Sequence, residues 1–227
     1  AVPALAALRE RGPLHVLAVR TDAPLPDDSA RWNDVVSVEG TPAALPEIPA
    51  IDPDDDACIF YTSGTTGFPK GAQLTNRGSV HNILNIAFMT TAVTVAEGKA
   101  IAAGELPEKP AAPPAAQPVF FAATPLFHVT ANNCVLHPAT LVGGRVVLTY
   151  KWDPARALEL IERERVTNFS GVPTMSRELL MHPDWERRDT SSLVGMGGGG
   201  AALQPDLVTK IDAALEKGTP TTGYGLT

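Results

Sequence analysis

The chain has 227 residues, of which 44% are hydrophobic and 19% are charged, a composition typical of a folded soluble protein and not of a disordered one. Its net charge of -7 argues against a nucleic-acid-binding protein, because binding to a phosphate backbone requires clustered lysine and arginine. No run approaches the about 18 consecutive apolar residues of a membrane span, so we expect no transmembrane segment.

We expect no signal peptide. Its two cysteines, Cys58 and Cys134, lack the spacing of a disulfide framework or a metal site. Both features favour a cytoplasmic protein. The chain begins at Ala1 without a methionine and stops in a glycine-rich apolar stretch at Thr227, and neither end resembles a domain boundary. We therefore expect a fragment of a longer protein, whose oligomeric state the sequence leaves open.

Apolar β-branched runs alternate with amphipathic stretches, which is typical of an α/β fold with a mostly parallel sheet and flanking helices. In the first half we predict a helix at 4–11 and a strand at 14–19. A connection at 40–55 then leads to a short buried strand at 57–61. Thr75 is predicted to cap a helix from Asn76 to about Met89. Five prolines between residues 97 and 118 predict a loop there.

The second half continues the alternation of strands and helices. The predicted strands lie at 119–123, 145–150 and 167–170. One predicted helix starts near Thr130 and ends at Gly143, and a second starts at Asp153, with a cap residue followed by a proline in its first turn. Two further helices are predicted at 173–181 and 205–216.

One stretch has the composition of a phosphate-binding loop. It follows an apolar strand and reads Tyr61-Thr62-Ser63-Gly64-Thr65-Thr66-Gly67-Phe68-Pro69-Lys70-Gly71. Its glycines let the backbone bring N–H groups close to a ligand. Its hydroxyls and single lysine add donors and a positive charge, which together suit a polyphosphate. An ordinary surface loop is the alternative, and the spacing excludes a Walker A loop.

Residues 61–71 resemble the phosphate-binding signature of the adenylate-forming superfamily, which includes acyl-CoA synthetases, aryl-CoA ligases, beetle luciferases and peptide-synthetase adenylation domains. Further segments resemble the motifs of this family in the same order, at 125–128, 170–175, 199–203 and 223–227. The resemblance implies part of the large N-terminal domain, with the small C-terminal domain absent. In that scheme residues 1–50 are a partial leading segment and residues 51–227 an ATP- and acyl-binding subdomain.

The resemblance also implies roles for individual residues. The phosphates of ATP would be held by Thr62, Ser63, Gly64, Thr65, Thr66, Gly67 and Lys70. The AMP part would lie against Gly199, Gly200, Ala201, Thr222, Gly223, Tyr224 and Thr227. The acyl group would contact His128, Val172 and Gly198. No metal ligand is expected within the chain, because the family places its Mg²⁺-binding Glu, ribose-binding Asp and catalytic Lys beyond these residues.

The implied activity is that of an acid–thiol ligase, although we expect the fragment itself to be inactive. ATP, Mg²⁺ and CoA would convert a hydrophobic, fatty acid first to an acyl-adenylate and then to a thioester. The alternatives are an adenylation domain that loads a carrier protein, and a nucleotide sensor without activity. The small residues from Gly197 to Ala202 predict room for a medium to long acyl chain. A family glycine after the histidine segment is replaced around Ala131-Asn132-Asn133, which predicts an altered pocket mouth.

A different motif points to another class of protein. Residues 195–200 read Gly-Met-Gly-Gly-Gly-Gly and satisfy the GxGxxG pattern of dinucleotide-binding oxidoreductases. That function would require a well-formed strand directly before the glycines, and an acidic residue at the end of a second strand about 20 positions later. The preceding stretch is short, and Glu216 lies in a predicted helix. We therefore favour adenylate formation over dinucleotide binding.

Overall fold

The computed structural model describes residues 2–14, 16–36, 47, 49–64, 67–107, 117–215 and 218–223. The chain divides into two compact units, residues 1–50 and 51–227. The described elements of the first unit are α1 (Val2–Arg9), β1 (Val16–Ala18), β2 (Ser29–Arg31) and α2 (Trp32–Val36). The predicted first helix is confirmed but lies two residues nearer the start of the chain, and the predicted first strand is confirmed in shorter form. Strand β2 and helix α2 were not predicted. The two strands pair in parallel, and Arg9 forms a two-pronged ion pair with Asp28.

The second unit begins with an antiparallel hairpin of β3 (Asp56–Thr62) and β4 (Lys70–Thr75). The predicted strand at 57–61 is confirmed, but the expectation that it is buried is wrong, because within β3 only Phe60 is buried. Strand β4 was not predicted. Its sequence lacks β-branched residues before Thr75, so the pairing with β3, rather than intrinsic propensity, determines its conformation.

Helix α3 runs from Asn76 to Ala102, about twice as long as predicted. The Thr75 side chain accepts a hydrogen bond from the Gly78 N–H and confirms the predicted cap. The prediction of a loop from residue 97 is wrong, because the first proline of that segment comes only at residue 107. The helix stops instead at Gly104, whose φ of 73° permits the paired N–H bonds of a Schellman ending: Gly104 to Ile101 O and Glu105 to Ala100 O.

Among the described residues, α3 is the one helix long and apolar enough to cross a membrane by length and composition. The expected absence of a transmembrane segment is therefore not confirmed. The first half of α3 packs on the hairpin and on the helical segment that follows β5, and Asn82 Nδ2 donates to Asn133 O over 2.9 Å.

The rest of the second unit is built around a parallel five-stranded sheet, which confirms the predicted α/β class. The strands are β5 (Val119–Ala122), β6 (Arg145–Leu148), β7 (Asn168–Gly171), β8 (Gly195–Gly198) and β9 (Thr219–Thr222), in the order β6-β5-β7-β8-β9. The connecting helices are α4 (Val129–Ala131), a π-helical turn (Asn132–Leu136), α5 (His137–Leu141), α6 (Pro154–Glu164), α7 (Pro173–Met181), a 3₁₀ turn (Trp185–Arg187) and α8 (Pro205–Ala214).

Each face of this sheet has its own apolar core. On one face Phe121 and Phe169 meet edge to face at 5.5 Å and pack against buried residues of α6, α7 and α8. On the other face Ala122 packs against Ala131 and Val135 of the helical segment that follows β5. Fully burying a large apolar side chain contributes about 1.5–3 kcal/mol, so both faces hold the carboxyl ends of the strands in fixed positions.

The carboxylate of Asp189, in the segment before β8, makes part of the free energy of unfolding dependent on pH. Two hydrogen bonds from Ser191, through its hydroxyl and its N–H, and the Arg165 guanidinium lower the pKa of Asp189 from 3.8 to about 2. A carboxylate with a lowered pKa stabilises the fold above its unfolded-state pKa, and the stabilisation is lost as pH falls. We expect wild-type protein to lose stability between about pH 4 and pH 2.

In Asp189→Asn this contribution is absent, so the variant should be less stable at pH 6 and should show a smaller loss between pH 4 and pH 2. Urea unfolding of wild type and variant at pH 6, 4 and 2.5 measures the free energy of unfolding and its loss as the pH falls. Equal losses of unfolding free energy in the two proteins would contradict the assignment.

Candidate functional site

The five-stranded sheet reverses its winding at one point. The chain passes from β5 outward to β6, then crosses back to β7 and continues to β8 and β9 on the other side. In open parallel sheets, ligands bind outside the carboxyl ends of the strands at such a reversal. The predicted acyl- and AMP-binding residues that the structure describes follow the ends of β5, β7, β8 and β9, so they gather at this edge.

His128 lies in the segment that leaves β5 and occupies the cap position of α4. Its Nδ1 accepts a hydrogen bond from the Thr130 N–H over 3.1 Å. A neutral imidazole that accepts at Nδ1 carries its proton at Nε2. The side chain is exposed, so this N–H can donate to a ligand at the sheet edge.

Val172 and the glycines at the end of β8 are neighbours in space. The Gly199 N–H donates to Gly171 O over 3.3 Å, and the Gly223 N–H donates to Gly198 O over 3.1 Å. A Cβ placed on Gly200 would lie 3.5 Å from Val172 Cγ1. The parallel register of β7, β8 and β9 thus brings together residues that are about 50 positions apart in sequence.

The glycine run itself forms strand β8, not a loop. Gly197 and Gly198 have φ values of 154° and 146°, and a Cβ on either would lie 1.8 Å from a backbone oxygen, of Thr221 and Gly171 respectively. The expectation that these two glycines leave room for an acyl chain is therefore wrong, because neighbouring strands fill that space. The dinucleotide alternative also loses its basis, since the glycines of that motif belong in the turn after a strand.

The predicted phosphate loop connects the two strands of the hairpin. Thr62 pairs with Lys70 across the ladder, and its hydroxyl approaches Lys70 O at 3.5 Å. Gly64 has φ 65°, and a Cβ there would lie 2.4 Å from Phe68 O, so the loop closes tightly on this glycine. Gly67 has φ 82°. Both glycines that the structure describes in this loop thus lie where the backbone has a positive φ.

Several predicted residues lie outside the described part of the chain: Thr65, Thr66, Tyr224 and Thr227. The described Ala201, Thr222 and Gly223 are exposed at the carboxyl edge. Across the described ranges, no group of three or more His, Cys, Asp or Glu side chains is arranged to hold a metal ion. The residues present therefore suit a phosphate ligand and do not by themselves form a magnesium site.

A groove of about 580 Å³ lies elsewhere, between the edge strand β6 and helix α6. Its walls include Leu148, Tyr150, Arg156 and Leu160. It contains none of the predicted site residues, and it opens along the side of the sheet. We place the candidate site at the carboxyl edge, because the winding reversal and the glycine-lined strand ends coincide there.

A family model and individual relatives both place this chain in the same family. A family model described as "AMP-binding enzyme" matches residues 2–227. A feruloyl-CoA synthase of Amycolatopsis sp. is 35% identical over 183 residues, which are 80% of this chain and 32% of that protein. A long-chain-fatty-acid–CoA ligase of Bacillus subtilis (strain 168) is 33% identical over 182 residues, 79% of this chain and 28% of the relative. The chain spans about a third of the length of these relatives.

Solved structures show the same fold. The luciferase-like enzyme of the mealworm Zophobas morio matches with a TM-score of 0.66 at 21% identity, over 94% of this chain and 43% of that one. ATP-bound MatB from Rhodopseudomonas palustris matches with a TM-score of 0.55 at 25% identity, over 76% of this chain and 30% of its own.

Proposed function

Because this chain belongs to the AMP-binding enzyme family of acyl-CoA ligases, we propose that it supplies the ATP- and acid-binding part of an acid–CoA ligase. A carboxylate oxygen of the acid attacks the α-phosphorus of ATP, the bond to the β-phosphate breaks, and pyrophosphate leaves. The sulfur of CoA then attacks the acyl carbon of the adenylate, and AMP departs. Neither step requires a nucleophile from the protein.

The observation that carries this proposal is the hairpin loop from Thr62 to Lys70. Strands β3 and β4 hold both of its ends, and Gly64 and Gly67 adopt positive φ values, as occurs in turns whose backbone N–H groups bind anions. Negative charge builds on the departing pyrophosphate, so donors already in place lower the barrier. In this proposal Lys70 and the loop hydroxyls bind the β- and γ-phosphates. Mg²⁺, where bound, would neutralise phosphate charge and be held largely by ATP itself.

We propose that AMP and the acid lie at the carboxyl edge of the sheet. Adenine would lie against the backbone of Gly199, Gly200 and Ala201, with Gly223 next to Gly199. The Nε2–H of His128 would donate to the carboxylate of the acid. The acid would be hydrophobic, fatty or aromatic, because the relatives named above include a feruloyl-CoA synthase and a long-chain-fatty-acid ligase.

Acid-dependent exchange of radiolabelled pyrophosphate into ATP tests the proposal in the full-length protein. We expect exchange with at least one hydrophobic acid and a CoA thioester when CoA is added. The thioester also separates this function from carrier-protein loading, in which free CoA is not consumed. Absence of exchange across a panel of fatty, aromatic and short acids, in a protein that binds ATP, would indicate a nucleotide sensor and refute the proposal.

A further inference from the structure

The helical segment that follows β5 contains one turn of π-helix between two α-helical stretches. The turn covers Asn132–Leu136, and the His137 N–H closes it by donating to Asn132 O, five residues earlier. Such turns are rare and occur frequently at functional sites. This one begins four residues after His128, the histidine proposed to contact the acid.

Pro138 accounts for the wide turn. In a regular α-helix its ring would clash with the carbonyl of Cys134, four residues earlier, and that carbonyl would also lack a donor. In the π-helical turn the missing donor affects a different carbonyl, that of Asn133, five residues before the proline. The N–H of His137, four residues after Asn133, is already bonded to Asn132 O. The Asn133 carbonyl therefore has no helical donor at either position.

Helix α3 supplies the missing donor. The side-chain amide of Asn82 donates from Nδ2 to Asn133 O over 2.9 Å. Asn133 is only 2% exposed, and an unpaired buried carbonyl costs free energy, so this bond stabilises the π-helical turn. In an α-helical turn the carbonyl without a donor would be that of Cys134, about 100° further around the helix. The bond from Asn82 therefore favours the π-helical form.

The turn determines where His128 lies. The N–H groups of Ala131 and Asn132 both donate to His128 O at 3.1 Å, and the His128 side chain caps the same helix. At the other end of the segment, Ala139 of α5 is fully buried. A change from π to α removes one residue from the turn, which rotates the residues before it by about 100° relative to α5. Loss of the Asn82 amide therefore displaces the imidazole.

We propose that Asn82 is a positioning residue for activation of the acid, an inference that rests on the proposed function. Its amide holds the π-helical turn beside Pro138, and the turn keeps the Nε2–H of His128 directed at the carboxylate. In this proposal Asn82 contacts neither the acid nor ATP. It acts from α3, whose first half packs against the segment that carries the histidine.

The test compares two like substitutions on α3 in the full-length protein. Asn82→Leu removes the donor, whereas Asn85→Leu changes an exposed asparagine three residues further on and is the matched control. In pyrophosphate exchange we expect Asn82→Leu to lower kcat/KM for the acid by roughly 10-fold, with the KM for ATP unchanged, and Asn85→Leu to match wild type. Asn82→Asp has the same shape but only accepts hydrogen bonds when ionised, so it should show the same loss.

A double-mutant cycle with His128→Ala separates positioning from a general structural role. If Asn82 acts through His128, Asn82→Leu should change kcat/KM for the acid by less than about 2-fold in the His128→Ala protein, because residues that act as a unit are not additive. Equal losses in the two backgrounds would overturn the proposal. Exchange at the wild-type rate in both Asn82→Leu and Asn82→Asp would also overturn it.

Two further measurements do not depend on turnover. Amide hydrogen exchange should show weaker protection of residues 129–141 in Asn82→Leu than in Asn85→Leu, and equal protection would contradict the proposal. Calorimetry should show that Asn82→Leu still binds ATP, and loss of that binding would indicate a general folding role instead. Wild-type protein that exchanges pyrophosphate with no acid would refute the proposed function, and this inference with it.

Discussion

Gly198→Ala should prevent the second unit from folding. The added methyl group would lie 1.8 Å from Gly171 O, far inside van der Waals contact, and the carbonyl belongs to a central strand that cannot move without breaking the ladder with β8. The backbone φ of 146° adds strain for any side chain. We expect a loss of more than about 4 kcal/mol of unfolding free energy, at the extreme of single substitutions. Soluble yield and thermal melting by circular dichroism measure it.

A matched control separates the collision from the backbone strain. Gly12 has nearly the same φ, 149°, and a Cβ there would have nothing within 4 Å. Gly12→Ala should therefore cost only about 1–3 kcal/mol. Gly200→Ala tests the same region of the sheet, because its Cβ would make an ordinary 3.5 Å contact with Val172. If Gly198→Ala melted like these two variants, β8 would not be packed as described.

The contrast between β8 and its neighbours shows where sequence reasoning is effective. The predicted β5 and β6 have apolar or β-branched runs, and α6 has both a capping aspartate and helical spacing. The Asp153 carboxylate accepts from the Arg156 N–H at 2.9 Å, as predicted. These elements follow from local chemistry, and the structure confirms them within a few residues.

Strands β4 and β8 were not predicted because their sequences carry little strand propensity of their own, and β9 was not predicted because its proline argues against a strand. β8 consists of Gly-Met-Gly-Gly and β9 of Thr-Pro-Thr-Thr. Both are strands because they pair with neighbours, β8 with β7 and β9 with β8. Such tertiary pairing overrides propensity and cannot be seen in a local window. For the same reason the sequence predicted empty space beside the glycines of β8, whereas the backbone of the adjacent strands fills that space.

Part of the candidate site could likewise be recognised from local sequence, and part depends on the fold. The loop between β3 and β4 could be singled out from the sequence, because its glycines, hydroxyls and lysine lie in one short stretch after an apolar strand. Its binding of phosphate stays a prediction. The proximity of Val172, Gly200 and Gly223 depends on parallel register across three strands, and only the fold provides that. The buried Asn133 illustrates a third case. Its position was noticed as a change of residue type, but the hydrogen bond that its carbonyl accepts from Asn82 depends on the π-helical turn.

Lys70→Ala should slow adenylate formation in the full-length protein by roughly 10²-fold, the scale observed when one preorganised charge-stabilising group is removed. The lysine is exposed at the first position of β4, directly after the hairpin loop that contains Gly64 and Gly67. The positive charge matters most as pyrophosphate departs, so the loss should fall mainly on kcat, with a smaller effect on the KM for ATP. Steady-state pyrophosphate exchange measures both constants.

The structure allows this loss to be separated from a folding defect. Lys70 joins the hairpin through its backbone, which pairs with Thr62, so truncating its exposed side chain should leave the melting temperature within a few degrees of wild type. Lys99→Ala, at an exposed lysine in the last turn of α3, controls for the loss of one positive charge and should retain full exchange. Lys70→Arg keeps the charge but changes its shape, and should recover part of the rate. Equal exchange rates in wild type and Lys70→Ala would place the triphosphate away from the hairpin loop.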